Sequence, residues 1–463
     1  MLRSVQKWLP EVGLFALLLF LSLRELGTFP AAWADDSLFM IVARNIAEGK
    51  GYALIILGRE WLYPYTLGVG PALIIPSALA IKAIGFSVAS ARLPMIAYLI
   101  AASTLFYFLA RRMAGRTSAL RSSLLLISLS AFINTGKPVL GEIPGVAFLL
   151  AGFFFLLDAP KRHWGRSVLA GLLFGIAVMT KLSYMLLFPA LGLTFLVMML
   201  RREWTAAARL AVTGVIALVP FVAWQMMELS SRGGILKDIL FMLGGSEEQA
   251  AIPFSHIWNN PEILLRIPFL SYAVFFVLGI LGSLKLSRTV PMHVLVFVWS
   301  LIVLFTLYYL SSFGWYRHVL PAHILLLLFV PAGAWSIFGK RLGVTVIFAI
   351  VVAQAWWQLT YKGASRSTAA TEAAAILEAE YRDVPLVVQQ AEIFVRLAPR
   401  PHWFFLTNPI MSLRLPEELV GLSPAQRCMP LVRKLSAEDQ QKYSGRLMPL
   451  AGYFLIEPPN DCK

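Results

Sequence analysis

Residues 10–23 read PEVGLFALLLFLSL, and residues 33–39, a short distance further on, read WADDSLF. The first stretch is apolar and predicts a helix that stays in a lipid bilayer, since no small-residue cleavage site of a signal peptide follows it. The second stretch places two adjacent carboxylates, Asp35 and Asp36, just after that helix. Because packing does not explain a carboxylate pair at a membrane surface, the two stretches predict a membrane protein with a polar site at the bilayer boundary.

The composition of the whole chain supports the membrane assignment. Hydrophobic residues make up 58% of the sequence and charged residues 14%, and the mean hydropathy is +0.72. A soluble chain of this length could not bury so much apolar surface. Repeated apolar runs of roughly 18–22 residues predict spanning helices, because transmembrane β-strands would be shorter and would alternate in polarity.

The apolar runs predict about eleven transmembrane helices. The lysines and arginines of the short connections fall on one side of the membrane only with this number of crossings. By the positive-inside rule that side is the cytoplasm. The net charge of +15 then reflects topology and contact with anionic lipids rather than nucleic-acid binding. The predicted spans are 9–27, 92–110, 119–135, 143–158, 167–182, 184–200, 207–227, 268–284, 291–312, 318–338 and 343–361.

One long extracytoplasmic loop, residues 28–91, is predicted to lie on or in the membrane and to carry the acidic pair. Residues 40–51 within it read as an amphipathic helix. The apolar segment 63–86 is predicted not to cross, because a crossing at 67–85 would place the later basic clusters outside. Two prolines in this segment favour a bent or broken helix.

A shift toward polar composition divides the chain into a transmembrane domain, 1–361, and a C-terminal extracytoplasmic domain, 362–463. The fold class is therefore an all-α polytopic membrane protein with a small C-terminal α/β domain. Both cysteines, Cys428 and Cys462, lie in the latter. An oxidising compartment would allow a disulfide, and two unpaired thiols are the alternative. The predicted elements of this domain are a helix near 367–382 and strands near 384–390, 402–406 and 452–457.

Three acidic residues are candidates for chemistry. Asp35 and Asp36 could supply a general base, or could hold a divalent cation against a phosphate. The alternative is that one of them caps the helix that follows. Glu142, in Gly-Glu-Ile-Pro-Gly, marks a second acidic site or an acceptor contact on the same side of the membrane. Its alternative is a favourable charge at a helix N-terminus.

Three basic residues on that side are candidates for binding a phosphate. Lys181 interrupts an apolar stretch, where a lysine must be paired or must extend to the interface. Arg317 and His318 follow Trp315 and Tyr316, and arginine suits forked hydrogen bonding to phosphate oxygens. The alternative is an interfacial aromatic belt with flanking charges. Acidic and basic elements beside an apolar protein predict a substrate with a lipid tail and a phosphate head.

The ordered set of motifs resembles the C-type (GT-C) membrane glycosyltransferases. The resemblance is to the bacterial branch of protein O-mannosyltransferase-like, aminoarabinose-transferase-like and RgtA/B/C/D-like enzymes, and it covers roughly the membrane region. The carrying motifs are Asp35-Asp36-Ser37-Leu38-Phe39 with Ala43-Arg44-Asn45-Ile46 and Gly49-Lys50-Gly51, Gly141-Glu142-Ile143-Pro144, Thr180-Lys181, and Tyr316-Arg317-His318-Val319-Leu320-Pro321.

This resemblance implies inverting transfer from a polyprenyl-phosphate sugar to a glycan, lipid or protein acceptor on the outer face of the inner membrane. Asp35 would be the general base, and relatives often have Glu where Asp36 stands. Some relatives use a divalent metal, which Asp35, Asp36 and Glu142 would hold here.

Two rival classes share the hydrophobic composition. A lipid-linked sugar flippase or transporter would place ionisable residues near span midpoints, whereas here they gather at the ends of the spans. An O-antigen polymerase or ligase would rely on arginines in a large outer loop, and residues 228–266 hold few. Nucleotide-driven transport and zinc proteolysis have no motif in the sequence.

Overall fold

The computed structural model describes residues 2–157, 164–228, 261–312, 315–360, 366–407, 419, 421–459 and 462. Most of the loop 228–266, whose few arginines argued against a polymerase or ligase, lies outside these residues. Up to residue 360 the described chain is largely helical. The helices are α1 Leu2–Leu23, α2 Ala34–Ala47, α3 Pro71–Ile84, α4 Val88–Ser128, α5 Ser130–Gly136, α6 Glu142–Leu157, α7 Trp164–Thr180, α8 Leu187–Leu200, α9 Trp204–Glu228, α10 Ile267–Leu286, α11 Met292–Ser311, α12 Leu320–Leu326 and α13 Val330–Thr360.

The chain is a multi-pass membrane protein. Six helical stretches within the described ranges are long and apolar enough to cross a bilayer. They are Val88–Ser128, Leu182–Leu200, Trp204–Glu228, Phe269–Leu286, Met292–Ser311 and Val330–Thr360. The first and last of these are broken at Gly115 and Gly339, whose φ angles are 80° and 69°. Only glycine adopts such angles readily, so each break separates two helical segments. The breaks lie between the predicted spans 92–110 and 119–135 and between 318–338 and 343–361. The total of about eleven crossings stays a prediction.

Two glycines allow α10 and α13 to cross at close range. A methyl group on Gly282 would lie 2.0 Å from the carbonyl oxygen of Phe329. One on Gly333 would lie 1.9 Å from the carbonyl oxygen of Leu278. Small residues at such crossings let helix backbones pack without intervening side chains.

Gly333→Val is therefore expected to force these helices apart. Overpacking of this kind lowers the free energy of unfolding by about 1–3 kcal/mol. The measurement is thermal unfolding of the purified protein in detergent, with Gly192→Val in α8 as the matched control. A methyl on Gly192 meets no described atom within 4 Å, so that variant should unfold near the wild-type temperature. Equal losses in both variants would contradict the close-crossing explanation.

The predicted non-crossing segment 63–86 contains α3 and the short turn before it. Pro71 lies in the first turn of α3, where its missing N–H is harmless, and Pro76 lies inside the helix. The helix is continuous, so of the predicted bend or break the break is absent, and the bend stays a prediction. At 14 residues α3 is about 21 Å long, which is short for a bilayer span.

The segment between α1 and α3 differs from the prediction in two respects. Helix α2 begins at Ala34, before the expected start at Met40, so the acidic pair lies inside the helix. A hairpin that the sequence analysis did not predict follows it. Its strands are β1 Ala53–Ile56 and β2 Arg59–Leu62, and they are antiparallel.

The C-terminal region forms a small α/β unit, as predicted. Its sheet has the strand order β4-β3-β5-β7-β6, with β3 parallel to β4 and β5, and β7 antiparallel to β5 and β6. Cys428 and Cys462 are joined by a disulfide, with an Sγ–Sγ distance of 2.09 Å. The elements are α14 Ala369–Glu380, β3 Leu386–Val388, α15 Ala391–Phe394, β4 Trp403–Phe405, α16 Pro424–Arg427, β5 Leu431–Arg433, α17 Ala437–Lys442, β6 Leu447–Leu450 and β7 Tyr453–Ile456.

The C-terminal unit packs directly on α2 and the hairpin. The backbone N–H of Leu57 donates to the Phe405 carbonyl at 2.8 Å, and Gln426 Nε2 donates to the Leu57 carbonyl at 3.0 Å. Arg44 Nη1 donates to the Leu397 carbonyl at 2.9 Å. Buried side chains of both parts form one hydrophobic core. The element that carries the acidic pair is thereby held between the membrane helices and the C-terminal sheet.

Candidate active site

The two aspartates lie side by side in the first turn of α2, yet they face different surroundings. The residue at the N-cap position is Trp33, and no side chain caps the helix. The interpretation that one aspartate is the cap is therefore wrong. Adjacent helical residues point about 100° apart. Asp35 and Asp36 consequently reach different parts of the protein.

Asp36 is fully buried and held on both oxygens. Its Oδ1 accepts a hydrogen bond from the backbone N–H of Val139 at 2.6 Å, and its Oδ2 is ion-paired with Arg92. Neither side chain of the pair is exposed. Arg92 Nη1 also donates to the carbonyls of Leu26 and Pro30, at 3.0 and 2.8 Å. This buried pair therefore ties the segment before α2 to α4.

Asp35 points to a more open position and contacts Arg317. Arg317 Nη2 donates to Asp35 Oδ2 at 2.8 Å, and the aspartate side chain remains 40% exposed. The guanidinium lies between two indole rings, 4.8 Å from the ring centroid of Trp33 and 4.4 Å from that of Trp315. Stacking on aromatic faces holds an arginine plane in place.

Glu142 lies at the start of α6, buried against the same arginine. Its Oε1 forms an ion pair with Lys181 and lies 3.6 Å from Arg317 Nε. The backbone carbonyl of Glu142 accepts a hydrogen bond from the Tyr184 hydroxyl at 2.5 Å. A methyl on Gly145, one turn on, would lie 2.1 Å from the Tyr184 ring, so glycine there allows this contact.

Lys181 is positioned by a short stretch of extended backbone. It forms a β-bridge with Val69, and Leu182 N donates to the Gly68 carbonyl at 3.1 Å. Its side chain is 16% exposed and points to Glu142 rather than to solvent. Lys181 is thus paired, which is how a basic residue at membrane depth is usually accommodated.

Four residues that the sequence analysis singled out therefore meet in one place. We call Asp35, Glu142, Lys181 and Arg317 the site quartet. The ion pairs run in a chain from Asp35 through Arg317 and Glu142 to Lys181, so two anions and two cations balance. The quartet comes from four segments far apart in sequence, which meet at the end of the helical bundle that faces the C-terminal unit.

His318 lies beside the quartet with one ring nitrogen engaged. Its Nδ1 shares a 2.8 Å hydrogen bond with Ser312 Oγ. Its ring packs against Tyr308, with ring centroids 4.9 Å apart. These contacts place the imidazole in the wall of the site, and the assignment of His318 to phosphate binding stays a prediction.

Two contributors were missed from sequence. Arg92 stands at the first position of the predicted span 92–110, and an arginine at the edge of a span is itself a signal of a buried partner. Trp33 was given no role beyond its place before the acidic pair, whereas its ring stacks on Arg317. Nothing local to the sequence indicates that second contact.

The three carboxylates do not fit a common metal site. Across the ranges that the structure describes, no group of three or more Asp, Glu, His or Cys side chains could hold a metal ion. Asp36 is buried against Arg92, while Asp35 and Glu142 each pair with a basic group of the quartet.

Comparison with known proteins agrees with this architecture. Residues 70–226 match the family model described as dolichyl-phosphate-mannose-protein mannosyltransferase. The chain is similar to ArnT from Cupriavidus metallidurans bound to undecaprenyl phosphate, with a TM-score of 0.67 and 12% identity over 97% of this chain and 98% of that one. The apo state of ArnT gives a TM-score of 0.66 and 13% identity over 98% of both chains. A search of curated proteins gives no match.

A second, more distant similarity is to an archaeal oligosaccharyltransferase. This is AglB from Archaeoglobus fulgidus in complex with an inhibitory peptide and a dolichol-phosphate, with a TM-score of 0.54 and 12% identity over 87% of this chain and 65% of that one. The chain therefore has the fold of ArnT. This fold and the match of residues 70–226 to the mannosyltransferase family model agree with the resemblance inferred from the sequence motifs. At these identities the structural matches establish the fold alone.

Proposed function

We propose that this protein is an integral-membrane glycosyltransferase that moves a sugar from a polyprenyl-phosphate donor to an acceptor. The observation that carries the proposal is the site quartet, which sets an open carboxylate beside an arginine with spare donors. Within the described residues, Arg317 Nε and Nη1 have no hydrogen-bond partner. A guanidinium held between two indoles with unused N–H groups suits a phosphate oxygen.

The donor class is supported by the surroundings and by the relatives. The site lies at the end of an apolar helical bundle, where a lipid tail can stay in the membrane while its phosphate meets Arg317 and Lys181. ArnT is described with undecaprenyl phosphate and AglB with a dolichol-phosphate. The same lipid-phosphate chemistry is proposed here, with the acceptor a glycan, lipid or protein of the cell envelope.

In the proposed reaction Asp35 is the general base. Its carboxylate takes the proton from an acceptor hydroxyl or amine, and that oxygen or nitrogen attacks the anomeric carbon from the side opposite the phosphate. The bond between the anomeric carbon and the phosphate oxygen breaks, and the configuration inverts. The leaving polyprenyl phosphate carries the negative charge, which Arg317 and Lys181 stabilise. Asp36 positions the helix start through Arg92 and takes no part in proton transfer.

The proposed location is the inner (plasma) membrane, with the site and the C-terminal unit on the periplasmic or extracellular side. Arg92 of α4 contacts the first turn of α2. Arg111 and Arg112 lie further along the same helical segment, about 30 Å away at 1.5 Å per residue. Since basic connections favour the cytoplasm, the end of the bundle that holds the site should face outward.

The first experiment is mass spectrometry of lipid-linked sugars and envelope glycans in three strains. One strain has the wild-type protein, one lacks it, and one carries Asp35→Asn. We expect both altered strains to accumulate one polyprenyl-phosphate sugar and to lose one sugar residue from one glycan. The accumulated lipid then identifies the donor.

Two other outcomes would favour the rival classes. If deletion changes the glycans while Asp35→Asn behaves as wild type, the acidic pair is structural and a flippase or polymerase explains the glycan change. If glycan chains become shorter by whole repeats rather than by one residue, a polymerase is indicated. Immunoblotting of membranes confirms that the variant is present at the wild-type level.

A further inference from the structure

Asp35, the proposed general base, is hydrogen-bonded to Arg317, the residue proposed to bind the donor phosphate. Arg317 Nη2 donates to Asp35 Oδ2 at 2.8 Å. This charge-assisted hydrogen bond occupies an oxygen lone pair that would otherwise be free to accept the acceptor's proton. Arg317 in turn uses Nη2 to hydrogen-bond this protein carboxylate instead of a donor phosphate. In this arrangement Arg317 holds Asp35 through Nη2, while Arg317 Nε and Nη1 have no hydrogen-bond partner among the described residues.

We propose that Asp35 and the donor phosphate compete for Arg317, so that donor binding releases Asp35 to act as the base. This inference rests on the function proposed above and concerns the order of events at the same site. The donor would bind first, and an acceptor arriving before it would meet a carboxylate still held by Arg317.

The charges of the quartet favour an exchange of this kind. Two carboxylates and two basic groups already balance, so an incoming phosphate has no unpaired cation among these four. It can form an ion pair only by displacing or sharing a carboxylate. Exchange between two anions on one guanidinium is cheaper than burying an extra uncompensated charge.

Exposure identifies Asp35 as the carboxylate that gives way. Its side chain is 40% exposed, whereas that of Glu142 is 3% exposed. A released Asp35 can be solvated by water or can meet the acceptor, but a released Glu142 would be left charged in a buried place. Glu142 also holds Lys181, so its displacement would break two contacts.

The two tryptophans let Arg317 change partners without leaving the site. Trp33 and Trp315 lie on the guanidinium at 4.8 and 4.4 Å, which fixes its plane and leaves the edge N–H groups to select a partner. Trp33 is also two residues from Asp35 in sequence, so the same segment carries the proposed base and one of the two indole rings that stack on Arg317. A planar fork serves this purpose better than a lysine ammonium.

The exchange also accounts for release of the product lipid. After transfer Asp35 carries the acceptor's proton and is neutral, so it does not compete with the polyprenyl phosphate for Arg317. Loss of that proton to water restores the carboxylate. Asp35 then recaptures Arg317 and favours departure of the lipid phosphate.

The test is a double-mutant cycle on binding of undecaprenyl phosphate to the purified full-length protein in detergent. The variants are Asp35→Asn, Arg317→Gln and the double variant. Asp35→Asn is expected to bind about three- to tenfold more tightly than wild type, because the competitor is removed. In the Arg317→Gln background the same change should alter affinity by less than about twofold.

The second background separates exchange from simple charge repulsion. If Asp35 only repels the phosphate, its removal tightens binding equally with and without Arg317, and the proposal fails. Unchanged or weaker binding by Asp35→Asn also overturns it. Glu60→Gln is the matched control, since Glu60 is exposed on β2 and its removal changes the charge equally. Arg317→Ala is the second background if Arg317→Gln does not purify as a folded protein, because it also removes the cation.

The outcomes for the function and for the exchange are distinguishable. If wild type does not bind undecaprenyl phosphate at all, the donor class is wrong and the exchange falls with it. If Asp35→Asn still transfers sugar, the general base is wrong, whatever the binding cycle shows. If Asp35→Asn is inactive but the cycle shows no coupling through Arg317, the proposed transferase function stands and only the proposed exchange is rejected.

Discussion

Asp35→Asn is expected to slow sugar transfer by about 10²–10⁴-fold, because general-base catalysis typically contributes that much. Asparagine has the size of aspartate and can still accept a hydrogen bond from Arg317. The change therefore removes basicity while leaving the shape of the first turn of α2 nearly intact. The measurement is the rate at which a polyprenyl-phosphate sugar is converted to polyprenyl phosphate in membranes that supply the native acceptor.

Three comparisons make this result specific to proton transfer. Asp35→Glu keeps the carboxylate but moves it, so it should retain more activity than Asp35→Asn. Glu60→Gln removes an exposed carboxylate from the hairpin and should transfer at the wild-type rate. The donor KM should not rise in Asp35→Asn, because Asp35 is not a donor ligand in this mechanism. A wild-type rate in Asp35→Asn would remove Asp35 from the reaction.

The members of the site quartet could be found from sequence because each is out of place in an apolar chain. A charged group at the end of a membrane span must be paired or functional, so Glu142 and Lys181 stand out. Their pairing could not be derived, since Lys181 is directed by a β-bridge to Val69 in a distant loop. The different roles of Asp35 and Asp36 likewise depend on where α2 begins, and the sequence analysis placed that start too late.

The elements that the sequence analysis missed lack the usual local signals. The β1–β2 hairpin turns at Leu57 and Gly58, with φ angles of 54° and 83°. Such turns normally carry Asn-Gly or Asp-Gly, and a leucine there gives no turn signal. Strand β6 contains Pro449, which argues against a strand in sequence. The structure tolerates this proline because β6 is at the edge of the sheet.

The helical breaks of α4 and α13, in contrast, do have a local sequence signal. Basic residues near Gly115 and Gly339 mark predicted connections by the positive-inside rule, and the structure breaks each long helix at that glycine. That the two segments of each helix cross the membrane separately stays a prediction. Charge pattern thus located these breaks where hydropathy alone would have merged them. The packing of the C-terminal sheet on α2 had no such signal, because it depends on a shared core formed by distant segments.

The largest expected effect on stability comes from the buried pair of Asp36 and Arg92. Arg92→Met is expected to lower the free energy of unfolding by about 3–5 kcal/mol, because it leaves the Asp36 carboxylate buried without its counter-charge. It also removes the donor to the carbonyls of Leu26 and Pro30. The measurement is denaturant unfolding of the purified protein in detergent, followed by a reporter of helix content.

The double variant Asp36→Leu with Arg92→Met separates the charge from the packing. Replacing both partners of a buried pair by apolar residues is often close to neutral. Here Val139 N would still lose its acceptor, so a loss of about 1–3 kcal/mol should remain. The matched control is Arg201→Met, whose partner pair with Glu203 is 51% and 42% exposed. Exposed pairs contribute about 0–1 kcal/mol, so this variant should unfold nearly as wild type.

The double variant also tests whether stability and chemistry are separate properties of the acidic pair. If Asp36 acts only by fixing the start of α2, the double variant should keep the Asp35–Arg317 contact and retain measurable transfer. Transfer should then fall mainly through misplacement of Asp35, with rate reduced more than donor affinity. A double variant that is stable but as inactive as Asp35→Asn would show that Asp36 takes a direct part in the reaction. An Arg92→Met variant that unfolds like Arg201→Met would show that the buried pair does not hold the site.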